Sequence, residues 1–222
     1  PENVRVYFVV RFDRPFDRLD GWVGTRRYSG IDSLEGSSEI TRRHPREALS
    51  YLDSPTSGVA AHYGVRTGDR IHVRTAVSYV STENARENLT HDATTWDFDA
   101  VRRAAQDEWN EWLGRIEVKG GTQQQRTKFY TDLWHVLLGR HKINDVNGWY
   151  PDYTGGKYVD KRTSDPMKLR RVELDANGAP KFNMYGFDGI WLTQWNLNVL
   201  WGLAWPEIMD DFTACLVQYA DN

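Results

Sequence analysis

The chain has 222 residues, of which 40% are hydrophobic and 27% are charged, and its formal net charge is −3. This balance is ordinary for a globular protein of one large domain or two smaller ones. It gives no reason to expect a nucleic acid or an anionic membrane surface as a partner, and no apolar run reaches the roughly 18 residues that a membrane helix needs.

The residue counts also limit the kinds of site. Cys215 is the only cysteine, so the chain can form no internal disulfide. The 6 histidines show no metal-ligand spacing, whereas the 10 tryptophans and 11 tyrosines are an excess that suits either a binding cleft or a core. The chain starts at Pro1 and enters a strand pattern almost at once, so we expect a fragment of a longer protein.

Strand patterns dominate the first third of the chain. β-Branched and aromatic residues predict a strand from Val4 to Phe12. Pro15 and Gly21 then predict a turn and connection, and residues 24–57 are predicted to be a polar loop.

A β-hairpin is predicted next, from residues 58–65 and 71–80 around a turn at 66–69. The second strand alternates in character, which predicts one buried face and one partly polar face. The face predicted to be buried carries Ile71, Val73, Thr75, Val77 and Tyr79.

Three helices are predicted to follow the strands. The first begins with Thr82 as its N-cap, the second covers residues 98–116, and the third begins at Thr122 after two glycines. The second helix carries the acidic residues Asp107, Glu108 and Glu111 among arginines. We interpret these as ordinary helix ion pairs and not as a catalytic carboxylate pair.

Residues 140–182 are rich in turn-forming residues, and short strands are predicted at 157–159 and 170–174. The oxygen-bearing side chains of Asp145, Asn147 and Asp152 suggest a calcium loop. The glutamate that an EF-hand has at position 12 is missing, so this signal is weak.

The last segment, 183–222, organises the chain. Tryptophan and amide residues alternate within it, and a helix would place Trp191, Trp195 and Trp201 on one face with Gln194 and Asn198 among them. Apolar residues on the other faces predict a buried helix. Pro206 ends that helix and begins a second one, which predicts an antiparallel αα-hairpin.

The amides of this segment allow two interpretations. A buried amide without a partner costs about 1–3 kcal/mol, so either other side chains or a ligand must satisfy it. Aromatic rings beside amides suit a sugar, whose C–H face stacks while its hydroxyls form hydrogen bonds. Alternatively, tryptophan and leucine at helical spacing form the core, and the amides tie the helix to its neighbours.

A family resemblance favours the sugar. The run GIWLTQWNLNVLWGLAWPEIMDDF resembles the first barrel helix pair of glycoside hydrolase family 92, the exo-acting α-mannosidases. Other stretches are also similar to that family: SYVSTENARENL, DFDAVRRAAQDEWNEWLGRIEV, FYTDLWHVLL, which contains His135, and NDVNGWY.

This resemblance implies an α+β fold in which part of an N-terminal β-sandwich (1–90) leads through a linker helix (91–119) to the start of an (α/α)6 toroid (120–222). It implies an inverting, calcium-dependent α-mannosidase that acts on a glycan and is secreted or periplasmic. The family's general acid, general base and calcium ligands lie in later segments, so no catalytic or metal-binding residue is predicted within this chain.

The resemblance also implies a sugar-binding wall. Family members read W-D-T-x-R where this chain has Trp191-Leu192-Thr193-Gln194-Trp195, so Leu192 and Trp195 replace the family's Asp and Arg. Leucine cannot form a hydrogen bond with a hydroxyl, so either Asp188, Gln194 or Asn198 takes over or the substrate preference differs from that of simple mannosidases. The predicted substrate-binding residues are Asp188, Trp191, Gln194, Trp195 and Asn198.

Other functions remain open at this point. The chain could be a non-catalytic carbohydrate-binding module, or a structural region that joins a β-sandwich to a helical toroid. It could also belong to a different toroid enzyme, because one fold carries several chemistries. Glycan binding by residues 1–90 alone would favour the first of these.

Overall fold

The structure is a computed structural model, and it describes residues 5–35, 57–138, 141–152, 168–186 and 195–222. This part of the chain is mixed α and β, with small sheets and five helices. The elements are β1 (Tyr7–Phe12), β2 (Arg18–Val23), β3 (Arg26–Tyr28), β4 (Ser57–His62), β5 (Val73–Ser78), α1 (Thr82–Asp92), α2 (Phe98–Leu113), α3 (Gln123–Leu137), β6 (Trp149–Pro151), β7 (Leu169–Arg171), α4 (Leu197–Ala204) and α5 (Pro206–Asp221).

The chain divides into two compact units, one formed by Phe12–His72 and the other by Pro1–Arg11 with Val73–Asn222. The first unit is built on an antiparallel sheet with the strand order β3-β2-β4. Strand β2 covers Arg18–Val23, where a turn and connection were predicted, so that prediction was wrong. Gly21 lies within this strand. A Cβ atom there would be 2.6 Å from the Ile31 side chain, so the glycine allows a close approach of the two segments and does not mark a turn.

The predicted β-hairpin is also wrong. The turn itself forms, because the backbone N–H of Asp69 donates to the Arg66 carbonyl at 3.0 Å. The flanking strands do not pair with each other, however: β4 pairs with β2, and β5 pairs with β1. Turn chemistry is local, whereas strand pairing depends on partners that are distant in sequence.

The face of β5 that was predicted to be buried is exposed. Val73 and Val77 are 50% and 55% exposed, whereas Ser78 on the opposite face is buried. Helix α1 packs on that opposite face, where Ala76 joins a small core of Val9, Ala85 and Leu89. Phe8 of β1 is exposed as well. We call the apolar side of these two strands the outer face of β1–β5, formed by Val6, Phe8, Val10, Val73 and Val77.

The positions predicted for the three central helices are confirmed, with small differences at the helix ends. Ser81, and not Thr82, caps α1, since its hydroxyl accepts from the Asn84 N–H at 3.0 Å. Thr122 caps α3 within a full capping box. No residue of α2 is buried, which is consistent with its acidic residues being solvated helix charges.

The αα-hairpin is confirmed for the described residues, since only Trp205 separates α4 from α5. These two helices share a core with α3 and with the end of α2. Leu133, Trp201 and Trp205 form its buried centre. The Trp205 indole N–H donates to the Trp112 carbonyl of α2 at 3.1 Å.

A third core lies where β6 and β7 pack against α5, around Tyr150, Met184 and Cys215. The predicted strand at 170–174 is confirmed in part by β7. The prediction at 157–159 lies outside the described residues. Strand β6 was missed because it has only three residues and ends in proline. Among the helices described, none is both long and apolar enough to span a membrane.

Candidate functional site

Two of the five predicted sugar-binding residues can be placed. Asp188, Trp191 and Gln194 lie outside the described residues. Trp195 lies in a turn just before α4, and its side chain is 70% exposed. Asn198 lies in the first turn of α4 and is partly buried.

The predicted shared tryptophan face is wrong for Trp195 and Trp201. Trp201 is only 1% exposed and packs in the helical core, whereas Trp195 is largely exposed. The helix starts at Leu197, so Trp195 precedes it and the helical spacing does not extend to it. The described part of α4 is also not buried all round, because Val199 and Leu203 are exposed. Trp201 and Trp205 are therefore core residues, and Trp195 is not.

Asn198 and Trp201 carry unpaired polar atoms. Within the described residues, the Asn198 Oδ1 atom and the Trp201 Nε1 atom are buried and have no hydrogen-bond partner. The two residues are three apart on α4, which makes them neighbours on its surface. One atom accepts hydrogen bonds and the other donates them. Unpaired groups of this kind cost stability and call for a reason, of which ligand binding is one.

Asp145 is a buried, fully hydrogen-bonded carboxylate that the sequence analysis considered only as part of a calcium loop. Its carboxylate is 4% exposed. It accepts hydrogen bonds from the Ser78 hydroxyl, the Asn84 amide and the Asn88 amide, each at 2.7 Å. Asn84 and Asn88 are four residues apart on α1, a spacing that puts two amides on one helix face and could have signalled a buried acceptor.

The suggested calcium loop does not fit this geometry. The groups around Asp145 are N–H and O–H donors, which satisfy a carboxylate without a cation. Asp152 is paired with Lys168 at 2.9 Å and Arg170 at 2.7 Å. The described residues contain no group of three or more His, Cys, Asp or Glu side chains that could hold a metal ion. We therefore assign no metal ligand to them.

Cys215 of α5 fixes the segment that leads towards α4. Its thiol donates to the Asn183 carbonyl at 2.9 Å and accepts from the Tyr185 N–H at 3.3 Å. The Asn183 amide donates to Asp211 at 2.7 Å. Burial raises the pKa of the Cys215 thiol to about 11, so this thiol is a structural group and not a nucleophile.

His135 has one ring nitrogen in a hydrogen bond within its own helix. Its Nδ1 atom donates to the Thr131 carbonyl one turn earlier on α3, at 2.8 Å. The ring packs against Trp134 with a centroid distance of 4.9 Å.

A depression of about 480 Å³ runs along the surface of α3. Its polar side chains largely bond to one another, as Arg126 does to Gln123 at 3.1 Å. No carboxylate lines it, so it lacks the acid and base that glycoside hydrolysis requires. Its lining residues are Gln123, Arg126, Thr127, Tyr130, Thr131 and Trp134.

A protein-family model matches most of the chain. The sequence model described as the glycosyl hydrolase family 92 catalytic domain matches residues 84–222. The matched region begins at Asn84, one of the donors to Asp145, and includes α2 to α5. A search against curated proteins found no match.

Solved structures share the fold. An inverting mannosidase of family GH92 from Bacteroides thetaiotaomicron VPI-5482 gives a TM-score of 0.70 at 21% identity, over 98% of this chain and 25% of its own. A GH92 α-mannosidase from Bacteroides thetaiotaomicron gives 0.67 at 20% identity, over 98% and 25%. The same α-mannosidase in complex with mannoimidazole gives 0.66 at 21% identity, over 98% and 24%. The chain thus spans about a quarter of the length of the structures that it matches.

Proposed function

The chain belongs to glycosyl hydrolase family 92, and from this premise we propose that the protein is an inverting α-mannosidase acting on glycans. The observation that carries the proposal is the match of residues 84–222 to the family's catalytic domain. Two of the similar structures are named as an inverting mannosidase and an α-mannosidase, and a further one contains mannoimidazole. These names support mannose as the sugar that is recognised.

Inversion requires two carboxyl groups on opposite sides of the scissile bond, about 6.5–9.5 Å apart. One protonates the leaving oxygen, and the other activates a water molecule. The buried carboxylates of Asp145 and Asp152 already have donors or cations as partners, which makes them poor candidates for either role. As the family resemblance implies, we propose that the acid and the base lie outside residues 1–222.

In this proposal the chain contributes the sugar-binding wall. The exposed ring of Trp195 would stack on the C–H face of a sugar, which suits an aromatic ring. Asn198 would bind a sugar hydroxyl, as the family resemblance implies. Asp188, Trp191 and Gln194 complete the proposed wall. Leu192 stands where the family has an aspartate, so the Gln194 and Asn198 amides would replace the missing carboxylate.

The proposed architecture is the β-sandwich, linker helix and toroid that the resemblance implies, at 1–90, 91–119 and 120–222. The outer face of β1–β5 supports the sandwich, because two strands with an apolar side need a second layer. Val199 and Leu203 are exposed apolar residues of α4, which supports further helices of a toroid packing there. The calcium ion, with ligands elsewhere, and export from the cytoplasm also remain proposals from the resemblance.

A hydrolysis assay tests the function. The complete enzyme is expected to release mannose from an aryl α-mannoside, with the β-anomer appearing first by proton NMR. The 222-residue chain alone is expected to be inactive. Initial release of the α-anomer, or activity confined to other glycosides, would overturn the proposal. Robust hydrolysis by the chain alone would show that the acid and base lie within it.

A further inference from the structure

A chain of hydrogen bonds and one aromatic contact leads from α1 to α4 and passes through Asp145. We propose that Asp145 is a positioning residue that sets the orientation of the sugar-binding wall on α4. This inference rests on the proposed function. Asp145 would touch neither substrate nor reacting atoms, and would act only through the segments that it holds in place.

The first link joins α1 to the loop at 141–148. The buried Asp145 carboxylate binds Asn84 and Asn88 of α1 together with Ser78 at the end of β5, each at 2.7 Å. The same Asn88 amide accepts the Val146 N–H at 3.0 Å. Every donor to the Asp145 carboxylate is neutral, so three directed hydrogen bonds and no ion pair hold this carboxylate.

The second link joins this loop to residues 183–186. Asn144 is buried, and its side-chain oxygen accepts from the Met184 N–H at 2.8 Å. The Ile143 N–H donates to the Met184 carbonyl, also at 2.8 Å. The Asn144 amide donates to the Asp145 carbonyl at 3.1 Å. A shift of Asp145 would therefore move Asn144 and, with it, Met184.

The third link reaches α4 through α5. Asn183 and Tyr185 are bonded to the Cys215 thiol at 2.9 and 3.3 Å. One turn earlier on α5, Phe212 packs edge-on against Trp201 of α4 with a centroid distance of 6.3 Å. Trp201 lies one turn after Asn198, so the route ends next to the proposed sugar-binding amide.

Asp145→Asn breaks the first link while keeping the size of the side chain. An amide has one acceptor oxygen where the carboxylate has two. If that oxygen serves Ser78 and Asn84, the new NH2 group faces the NH2 group of Asn88, and the loop must move. The exchange variant Asn88→Asp with Asp145→Asn restores an acceptor opposite the new donor. It also removes the NH2 group that donates to the Val77 carbonyl at 2.9 Å, so it is expected to recover only part of the wild-type arrangement.

Steady-state kinetics of the complete enzyme test the proposal. A displaced wall binds sugar poorly, so Asp145→Asn is expected to lower kcat/KM by about tenfold to a hundredfold, mainly through KM. The control is Leu89→Ala, which removes a buried contact of α1 but leaves the hydrogen bonds intact. It is expected to lower Tm while KM stays within about twofold of wild type. Equal KM changes in both variants, at equal loss of Tm, would overturn the proposal.

A second measurement separates this inference from the function on which it rests. In the complete enzyme labelled with ¹⁵N at tryptophan and asparagine, Asp145→Asn is expected to shift the Trp201 indole and Asn198 amide signals, the exchange variant to return them in part, and Leu89→Ala to leave them in place. Unmoved signals in Asp145→Asn would overturn the positioning role. If the signals move but the wild-type enzyme leaves α-mannosides intact, the proposed function fails while the structural route stands.

Discussion

Replacing Asn198 with leucine is expected to stabilise the chain and to impair the enzyme. The Asn198 Oδ1 atom is buried and has no partner among the described residues, and an unsatisfied buried group costs about 1–3 kcal/mol. Leucine has a similar size and no polar atom, and it is also the better helix former. The gain should therefore be about 1–3 kcal/mol, or about 2–4 °C in Tm for each kcal/mol in a chain of this size.

Two assays decide this prediction. Urea unfolding of the 222-residue chain, followed by circular dichroism, gives the stability change, and hydrolysis by the complete enzyme gives the loss of turnover. The control is Asn196→Leu, because the Asn196 side chain forms no capping bond, and its effect should stay within about 0.5 kcal/mol. A destabilisation above about 1 kcal/mol in Asn198→Leu would mean that the amide is satisfied after all. Stabilisation with unchanged turnover would remove Asn198 from the sugar-binding wall.

Three further results are expected. Trp205→Phe should destabilise the chain by about 2–4 kcal/mol in urea unfolding, because it loses buried volume and the bond to the Trp112 carbonyl; a change below about 1 kcal/mol would contradict that packing. Hydrogen bonding, first of all from Ser29, lowers the pKa of Asp20 to about 2. Its stabilising effect should be complete above the unfolded pKa near 3.8 and disappear as the pH falls towards 2, and Asp20→Asn should flatten the acid-unfolding curve in that range; an unchanged curve would refute this. Cys215, with a raised pKa and a buried thiol, should resist iodoacetamide at pH 8 until the chain is unfolded; rapid labelling of the native chain, read by mass spectrometry, would contradict its burial.

Features that depend on a few neighbouring residues could be predicted from the sequence. Thr122 and Gln125 form a capping box because both partners lie within one turn. Pro206 separates two helices for a similarly local reason. The family resemblance was also recognisable from short runs of residues, and the family match confirms it.

Features that depend on distant partners could not be predicted in this way. The pattern of β5 is compatible with either face being buried, and only the position of α1 decides between them. The start of α4 at Leu197 separates Trp195 from Trp201, and nothing in the apolar spacing marks that boundary. The hydrogen-bond donors to Asp145 are about 60 residues away in sequence. The residues next to Asp145 therefore gave no sign of them, and only a calcium loop was considered.

The single-residue junction between α4 and α5 has a consequence for recognition. Trp205 is buried and forms a hydrogen bond to α2, so the junction contains no flexible residue that could act as a hinge. If α4 carries part of the proposed sugar-binding wall, the cost of ordering this helix is met when the chain folds and not at the moment of binding. Asn198 on α4 would then select a sugar by rigid fit, without a swing of the helix.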